Sequence, residues 1–406
     1  MLNPFAKARK LALGAAALTA AITTALTTAA PAAAAPAEDD GDPTLIGHRV
    51  GSGHAPEMTE AAFLNLLPHD PDSLEVDVQL SADGVPFLMH DTTLKRTTDV
   101  EEVFPDRADD LATSFTWDEL QKLDAGAYFS DRYAGQRIMA FEDIPDYVSG
   151  QDVTVVIELK SPAYSPGLER AVSDAIEADA RWKQLREDEL LTFISFDKES
   201  LRRQVDLQPD VPAMWLKTRV PSDEELAEVR EWTDAFGTNY RYLDDATLDR
   251  LRALDFEVNV WTANDPEAVA EIADRGIEYI TTDFVDVAQD AIDGRDPFPA
   301  NPGVEVTAIE GEGDLAADGE HVVLTNTGDR PVNVSGYLVR SSPHHVLNVG
   351  KGYVLRPGQE LKVYSGEGKN TRQAYYNGRD TAMINNSGNS MALWTSTGVL
   401  IDIASD

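Results

Sequence analysis

The chain predicts a (β/α)8 barrel of the TIM type followed by a small all-β sandwich. Three observations carry that expectation. Strand-like and helix-like runs alternate from Leu45 to Phe284, as parallel strands joined by helical crossovers require. A stretch dense in Pro and Gly (Gly294-Arg295-Asp296-Pro297-Phe298-Pro299-Ala300-Asn301-Pro302-Gly303) then interrupts the pattern. Beyond it, short β-runs are separated by turn clusters, the signature of a sandwich.

The elements follow in order. Residues 1–35 read as a secretory signal peptide. Lys7, Arg9 and Lys10 make a basic lead, residues 11–30 are mainly Ala, Leu, Ile and Thr, and the small residues from Pro31 to Ala37 suit cleavage. A membrane anchor is the weaker alternative, because Ala and Thr insert poorly compared with Leu and Ile. A polar leader over 36–43, including Glu38-Asp39-Asp40-Gly41-Asp42, precedes the barrel, which is expected to occupy 44–292.

Strand candidates are Thr44–His48, Ser73–Gln79, Val85–His90, Val153–Leu159, Leu190–Phe196, Ala213–Lys217, Ala235–Asn239, Val258–Thr262 and Tyr279–Thr282. Several are apolar throughout, as strands buried on both faces should be. Helical spacing of apolar residues marks 167–180, 222–231, 245–254 and 266–275. Nine strands are one too many for the barrel. Either the tight-turn dipeptide Asp83-Gly84 makes a hairpin of one of them, or Ala235–Asn239 is irregular.

Between Asp99 and Asp146 the alternation lapses. Phe104, Phe115, Trp117, Tyr128, Phe129 and Tyr133 lie there, with a short helix expected near Trp117–Leu123. A stretch this long reads as an excursion that shapes or covers a site. After a linker over 293–303, the domain spanning 304–406 is expected to hold strands His321–Thr325, Val332–Val339, Tyr353–Leu355, Leu361–Tyr364, Met391–Thr395 and Val399–Ile403.

With 71 acidic and 34 basic residues the chain carries a formal charge of −37. That field disfavours nucleic acid and anionic membrane surfaces as partners. No other apolar stretch is long enough for stable membrane insertion. The absence of cysteine excludes a thiolate nucleophile and a Cys-zinc site, and leaves the fold to its core and any bound metal.

Four runs put ionisable side chains at the ends of apolar strands: Ile46-Gly47-His48-Arg49, Leu74-Glu75-Val76-Asp77, Met89-His90-Asp91 and Ile157-Glu158-Leu159-Lys160. Buried charge is costly unless paired, hydrogen-bonded or metal-bound. Residues two apart in a strand share a face, so Glu75 points with Asp77, and Glu158 with Lys160. Carboxylates converging at a barrel mouth repel one another without a cation. Glu75, Asp77 and Glu158 are therefore candidate ligands of Ca²⁺ or Mg²⁺, which take hard oxygen donors. His48 and His90 are candidate acid/base groups. Arg49 and Lys160 are candidate phosphate clamps or structural salt-bridge partners. Trp261 walls the substrate pocket or fills the barrel. Such a set suits a metal-assisted site for a phosphate ester, since a phosphate needs a local cation in so acidic a protein. His54, His69, His321, His344 and His345 lie in loop-like or C-terminal contexts that suit surface or structural roles.

These residues also carry a resemblance. His48-Arg49, Ala55-Pro56-Glu57-Met58-Thr59, Glu75-Val76-Asp77-Val78-Gln79, Asp83-Gly84-Val85-Pro86, His90-Asp91 and Leu94-Lys95-Arg96-Thr97-Thr98 follow one another as in the glycerophosphodiester phosphodiesterase family. Leu123-Asp124-Ala125-Gly126, Glu158-Leu159-Lys160, Ile194-Ser195-Phe196, Trp261-Thr262 and Thr282-Asp283 agree. The resemblance implies a divalent cation on Glu75, Asp77 and Glu158, an acid/base pair in His48 and His90, and a phosphate held by Arg49 and Lys160. Two positions depart from the family pattern. Val50 stands where Gly is usual, and Met58 stands where Asn is usual. Neither is a proposed ligand or acid/base residue. The region from Val304 to Ile403 resembles a lamin-tail-like immunoglobulin-fold domain, through Val322-Val323-Leu324-Thr325-Asn326-Thr327-Gly328, Val334-Ser335-Gly336-Tyr337, Leu355-Arg356-Pro357-Gly358 and Gly388-Asn389-Ser390-Met391-Ala392-Leu393.

The expected function is a secreted, metal-dependent phosphodiesterase that hydrolyses glycerophosphodiesters to glycerol 3-phosphate and an alcohol. A small glycerophosphodiester or a teichoic-acid-like polymer is the expected substrate, with the C-terminal domain binding an envelope component or acting as a spacer. Two rivals stand beside it: a phospholipase or sphingomyelinase-D-like activity on intact lipids, and a non-catalytic protein that binds envelope phosphate polymers.

Overall fold

In the computed structural model, residues 41–311, 319–342, 345–380, 382–384 and 389–406 are described. The expected signal peptide and residues 36–40 of the polar leader lie outside them, as do His344 and Gly388.

Eight parallel strands close into a barrel, and a ninth lies outside it. The strands are β1 (Thr44–Gly47), β2 (Ser73–Leu80), β3 (Pro86–Leu88), β4 (Thr154–Leu159), β5 (Leu191–Ser195), β6 (Ala213–Lys217), β7 (Ala235–Asn239), β8 (Glu257–Trp261) and β9 (Tyr279–Thr282). Their order is β1-β9-β8-β7-β6-β5-β4-β2-β3, and β1 also pairs in parallel with β2 to close the ring. The surplus strand is β3. It returns antiparallel on β2, pairing Leu88 with Val78 and Pro86 with Leu80. Gly84 supplies the left-handed backbone (φ 88°) for the turn between them. Ala235–Asn239 is a regular barrel strand.

The four expected helices form as Leu168–Ala178, Asp223–Arg230, Asp245–Ala253 and Pro266–Asp274. The first buries Leu168, Val172 and Ile176 on one face. Side-chain caps begin the others, with Ser222, Asp244 and Asp265 accepting backbone N–H bonds of the first turn. Two apolar layers result. Leu74, Val76 and Val78 of β2 and Val155, Ile157 and Leu159 of β4 face the helices. Ile46, Val156, Ile194, Met214, Leu216, Ala235 and Tyr279 cluster separately, with Trp261 against them. Glu75, Asp77 and Glu158 share the parity of Val156, so they face the inside.

At the start of β8, Glu257 accepts a hydrogen bond from the Tyr279 hydroxyl (2.6 Å). Burial, with Glu278 and Asp234 nearby, pushes its carboxyl up to about 7 from 4.5. Between those values the folded state holds more protons than the unfolded one, so stability falls as pH rises through the window. Glu257→Gln is expected to stabilise the protein by about 2–3 kcal/mol at pH 8 and not at pH 4.5. Denaturant titrations at the two pH values check this, and equal effects at both would refute it.

The excursion is a packed unit. Phe87, Met89, Leu94, Val100, Phe115, Leu120 and Leu123 form its own core. The short helix is Trp117–Leu120, with Thr116 and Glu119 forming a capping box. Tyr128 reaches back to the barrel mouth, where its hydroxyl accepts the Glu57 N–H (3.0 Å).

The C-terminal domain stacks two four-stranded sheets over a common core that includes Val304, Val322, Leu324, Val339, Leu361, Val363 and Leu393. One sheet holds β10 (Val304–Glu310), β11 (His321–Asn326), β16 (Glu360–Tyr364) and β17 (Ala374–Tyr376). The other holds β13 (Leu338–Ser341), β14 (Val346–Asn348), β18 (Ser390–Trp394) and β19 (Leu400–Ser405). β12 (Val332–Asn333) pairs with β15 (Val354–Leu355). The expected single strand Val332–Val339 is thus two, broken where Gly336 takes φ 78°. β10, β14 and β17 were not among the expected strands. In β10 a bulge between Val306 and Ala308 breaks the period-two pattern.

The domain docks on the barrel through Ala392 and Ile403, which meet Phe284 and Val287, with Trp394, Leu400 and Phe298 around them. His54 sits in this seam, 3.0 Å from Asp286 and edge-on to Phe284 and Trp394. Gly53 is required beside it, because a Cβ there would lie 2.3 Å from the Phe284 ring. Among the described residues no helix is long and apolar enough to cross a membrane.

Candidate active site

The four ionisable runs meet at one mouth. Pairing of β2 with β4 sets Asp77 opposite Glu158 and Glu75 opposite Val156. Both strands run in the same direction and carry their carboxylates on the inner face, so the three groups converge. Glu75, Asp77 and Glu158 are buried, and each offers a ligand oxygen within 4.8 Å of the others. Burial, together with the neighbouring acids, raises the Glu75 carboxyl well above its usual range and pushes Glu158 up to about 7. Burial also disfavours the Asp77 carboxylate, but Lys160, His90 and Arg49 outweigh it and hold Asp77 low. The cations that meet Asp77 are Lys160 Nζ at 3.1 Å and Arg49 Nε at 3.8 Å. Three converging hard oxygens and two raised carboxyls fit a divalent cation.

Both expected phosphate clamps already contact carboxylates. Lys160 Nζ lies 3.1 Å from Asp77 Oδ1 and 3.0 Å from Glu158 Oε1. Burial lowers its proton affinity, but those two carboxylates outweigh burial and keep it charged. Arg49 donates from Nη1 to Glu57 (3.2 Å), and its Nε lies 3.8 Å from Asp77. Its backbone N–H donates to Glu75 Oε2 (2.7 Å).

The turn after β1 explains the departure at Val50. Arg49, Val50 and Gly51 all have positive φ (49°, 63° and 68°). Glycine takes that conformation freely, whereas a β-branched residue is strained there by about 1–3 kcal/mol. Full burial of the Val50 side chain in the strand–helix core offsets the strain. Met58 also has positive φ (51°), and its Sδ lies 3.2 Å from the Asp77 nitrogen.

Each histidine is oriented by a carboxylate. His48 Nδ1 is 2.7 Å from Asp283 Oδ1, and His90 Nδ1 is 2.6 Å from Asp91 Oδ1. A carboxylate only accepts, so Nδ1 carries the proton and Nε2 is the nitrogen left for the mouth. Asp283 accepts further bonds from Ser52 Oγ (2.9 Å) and Asn264 Nδ2 (2.6 Å). Asp91 is gripped by Arg96, which also makes a two-pronged contact with Glu57. Burial, reinforced by Arg49, pulls His90 down to about 4 against the opposing pull of Asp77 and Asp91, so it is neutral at pH 7.

Charged and apolar side chains line one cavity at the mouth. His48, Arg49, Glu75, His90, Glu158 and Lys160 supply the charged part. Ile46, Val156, Ile194, Met214, Leu216, Phe196 and Trp261 supply the apolar part. Trp261 therefore walls the cavity, edge-to-face with Phe196 (5.3 Å). All eight candidate residues come together. Sequence reasoning gave no role to Asp283, Asp91, Glu57, Arg96, Asn264 and Phe196. Two of these had a signal, since Asp91 directly follows His90 and Asp283 directly follows the last barrel strand.

The family model described as the glycerophosphoryl diester phosphodiesterase family matches residues 48–287. The chain belongs to this family. The Lamin Tail Domain model matches residues 297–405 of this phosphodiesterase family member. It is 26% identical over 254 residues to the glycerophosphodiester phosphodiesterase of Bacillus subtilis (strain 168), covering 60% of this chain and 84% of the relative. It is 29% identical over 247 residues to that of Caldanaerobacter subterraneus subsp. tengcongensis, covering 59% and 93%. A solved Oleispira antarctica phosphodiesterase, in complex with its product sn-glycerol-3-phosphate, aligns with TM-score 0.56 and 26% identity over 62% of this chain and 97% of that one.

Proposed function

We propose that the protein is a secreted, divalent-cation-dependent enzyme that hydrolyses small glycerophosphodiesters to glycerol 3-phosphate and an alcohol. One observation carries the reading: two carboxylate-held imidazoles share a mouth with a buried acidic triad whose ligand oxygens lie within 4.8 Å of one another. Glu75, Asp77 and Glu158 would hold Ca²⁺ or Mg²⁺, which supplies Lewis-acid stabilisation of charge on the phosphate oxygens.

The chain's own groups account for the rest. Arg49 and Lys160 attract the phosphate and balance its developing charge. One imidazole takes a proton at Nε2 from the attacking oxygen as the new P–O bond forms. The other gives a proton to the leaving alkoxide as the old P–O bond breaks. The attacking oxygen is that of water, or that of the neighbouring glycerol hydroxyl, which expels the alcohol and forms a cyclic phosphate that water opens in a second displacement to give glycerol 3-phosphate. Trp261 and Phe196 offer an apolar wall to the glycerol carbons or the leaving group. Substrate preference is supported by the relatives named above and by the product in the Oleispira structure. Secretion is supported by the basic and apolar N-terminal pattern.

The test is release of glycerol 3-phosphate and choline from glycerophosphocholine, beside phosphatidylcholine vesicles and a teichoic-acid-like polymer. Rapid turnover of the soluble diester, abolished by a chelator, is expected. Faster headgroup release from vesicles would favour the lipid-cleaving alternative. Polymer retained without any product would favour the binding protein.

A further inference from the structure

We propose that the C-terminal domain completes the active site, with Ser342 and Ser390 acting through Asn264 and Asp283 as positioning residues for His48. The inference rests on His48 being one of the two acid/base groups.

Asn264 bonds to both domains. It is buried, and its amide orientation is fixed by what it accepts. Its Oδ1 takes the Asp283 N–H (2.8 Å) and the Thr282 hydroxyl (3.1 Å). Nδ2 therefore faces the other way, with two protons to place. One goes to Asp283 Oδ2 (2.6 Å), the carboxylate that holds His48. The other points across the domain seam to Ser390 Oγ (2.9 Å), with Ser342 Oγ at 3.3 Å. The two hydroxyls are 2.6 Å apart and bond to each other. Barrel residues satisfy Asn264 only in part, and the C-terminal domain supplies the remaining acceptor.

Rotation of the amide is what the serines prevent. With no acceptor for its second proton, a buried amide gains by turning toward another partner. Turning would cost Asp283 the Asn264 bond at Oδ2 and loosen the carboxylate whose Oδ1 holds Ser52 and His48. An imidazole held by a less rigid carboxylate spends less time with Nε2 aimed at the reacting oxygen. The seam is well placed to fix the serines. Ser390 opens β18, whose Ala392 packs on Phe284 immediately after Asp283. The Ser405 N–H donates to Asp265, next to Asn264 (2.9 Å). On the other flank, Arg340 lies 3.6 Å over the Phe129 ring and donates to the Phe129 carbonyl, bracing the excursion that carries Tyr128 to Glu57.

The experiment uses the full chain with saturating divalent cation and glycerophosphocholine. Ser342→Ala, Ser390→Ala and the double variant are compared with Ser390→Thr, which keeps the hydroxyl. A small cavity bordered by Gly53, Asp283 and Arg340 lies beside Ser342 and Ser390. The double variant is expected to lose about tenfold in kcat, the worth of one good hydrogen bond, with KM within about twofold of wild type. Ser390→Thr is expected to stay within about twofold in both. Rates are taken on protein from the folded peak of a sizing column, and if the double variant does not fold, Ser390→Ala against Ser390→Thr decides. Wild-type kcat in the alanine variants overturns the proposal. So does a loss that appears in KM, or one that threonine does not repair. His48→Ala is assayed alongside. If it is inactive while the serine variants are normal, only the interdomain inference fails. If His48→Ala is itself active, the reading beneath it fails.

Discussion

His48→Ala and His90→Ala are each expected to lower kcat for glycerophosphocholine by about 10²–10⁴-fold, with KM changed by less than about threefold. The other groups at the mouth are poor substitutes. Lys160 is kept charged by Asp77 and Glu158, and Arg49 does not deprotonate. The carboxylates of the triad converge on one another and on Lys160. The double variant is expected to be about as slow as the slower single one, because the two imidazoles serve one displacement and their losses do not add. Asp283→Asn and Asp91→Asn extend the test. An amide can present its NH₂ to Nδ1, which moves the imidazole proton to Nε2 and leaves no lone pair facing the mouth. Each should therefore lower kcat by at least about tenfold while leaving the histidine in place. Steady-state kinetics on the four variants check this, and a His48→Ala enzyme of wild-type kcat would remove His48 from the reaction.

The barrel was readable because its parallel strands are buried on both faces and several are therefore largely apolar. Leu74, Val76 and Val78 face helices while Ser73, Glu75, Asp77 and Gln79 face inward. A carboxylate inside such a run has no solvated face to turn to, so its presence already signalled a site. The ambiguity of nine strands was local. Only the antiparallel pairing of Pro86 and Leu88 on β2 shows which one leaves the ring. The C-terminal domain was less legible because its strands are short and its first carries a bulge, so apolar alternation fails where register shifts.

Docking of the two domains left no mark on the sequence at all. Ala392, Ile403, Phe284 and Val287 look like ordinary core residues until their partners are known. The same holds for the groups that orient the histidines. Asn264 and Asp283 are 19 residues apart, and Asp283 is 235 residues from His48, so no spacing rule joins them. Arg49 and Lys160 were identifiable as cations at the mouth. Their ion pairs with Glu57, Asp77 and Glu158 depend on how the β1 turn folds over β2 and β4.

Adding millimolar Ca²⁺ or Mg²⁺ to chelator-treated protein should raise its thermal midpoint, and Asp77→Asn should abolish that response. Glu75, Asp77 and Glu158 are buried beside a single ammonium, that of Lys160, with the Arg49 guanidinium farther off. Without a cation, the mismatch is relieved by proton uptake, as the raised Glu75 and Glu158 carboxyls indicate. Burial and the nearby Asp77 push the folded Glu158 carboxyl up to about 7 from its ordinary 4.5. The folded cation-free protein thus binds more protons in that window, and its stability falls as pH rises through it. A cation occupied at about 100 times its Kd adds about 2.7 kcal/mol, enough to move the midpoint by several degrees. It should also flatten the pH dependence, because ligand carboxylates no longer need protons. Asp77→Asn removes the carboxylate that the buried Lys160 ammonium pairs with. In chelator it should be less stable than wild type, while losing the cation response and most of the activity. Calorimetry of both proteins at pH 6 and pH 8, with and without cation, reads all three effects. A wild-type midpoint indifferent to every divalent cation tried would mean that the triad binds none, and that Lys160 and bound protons alone keep the three acids together.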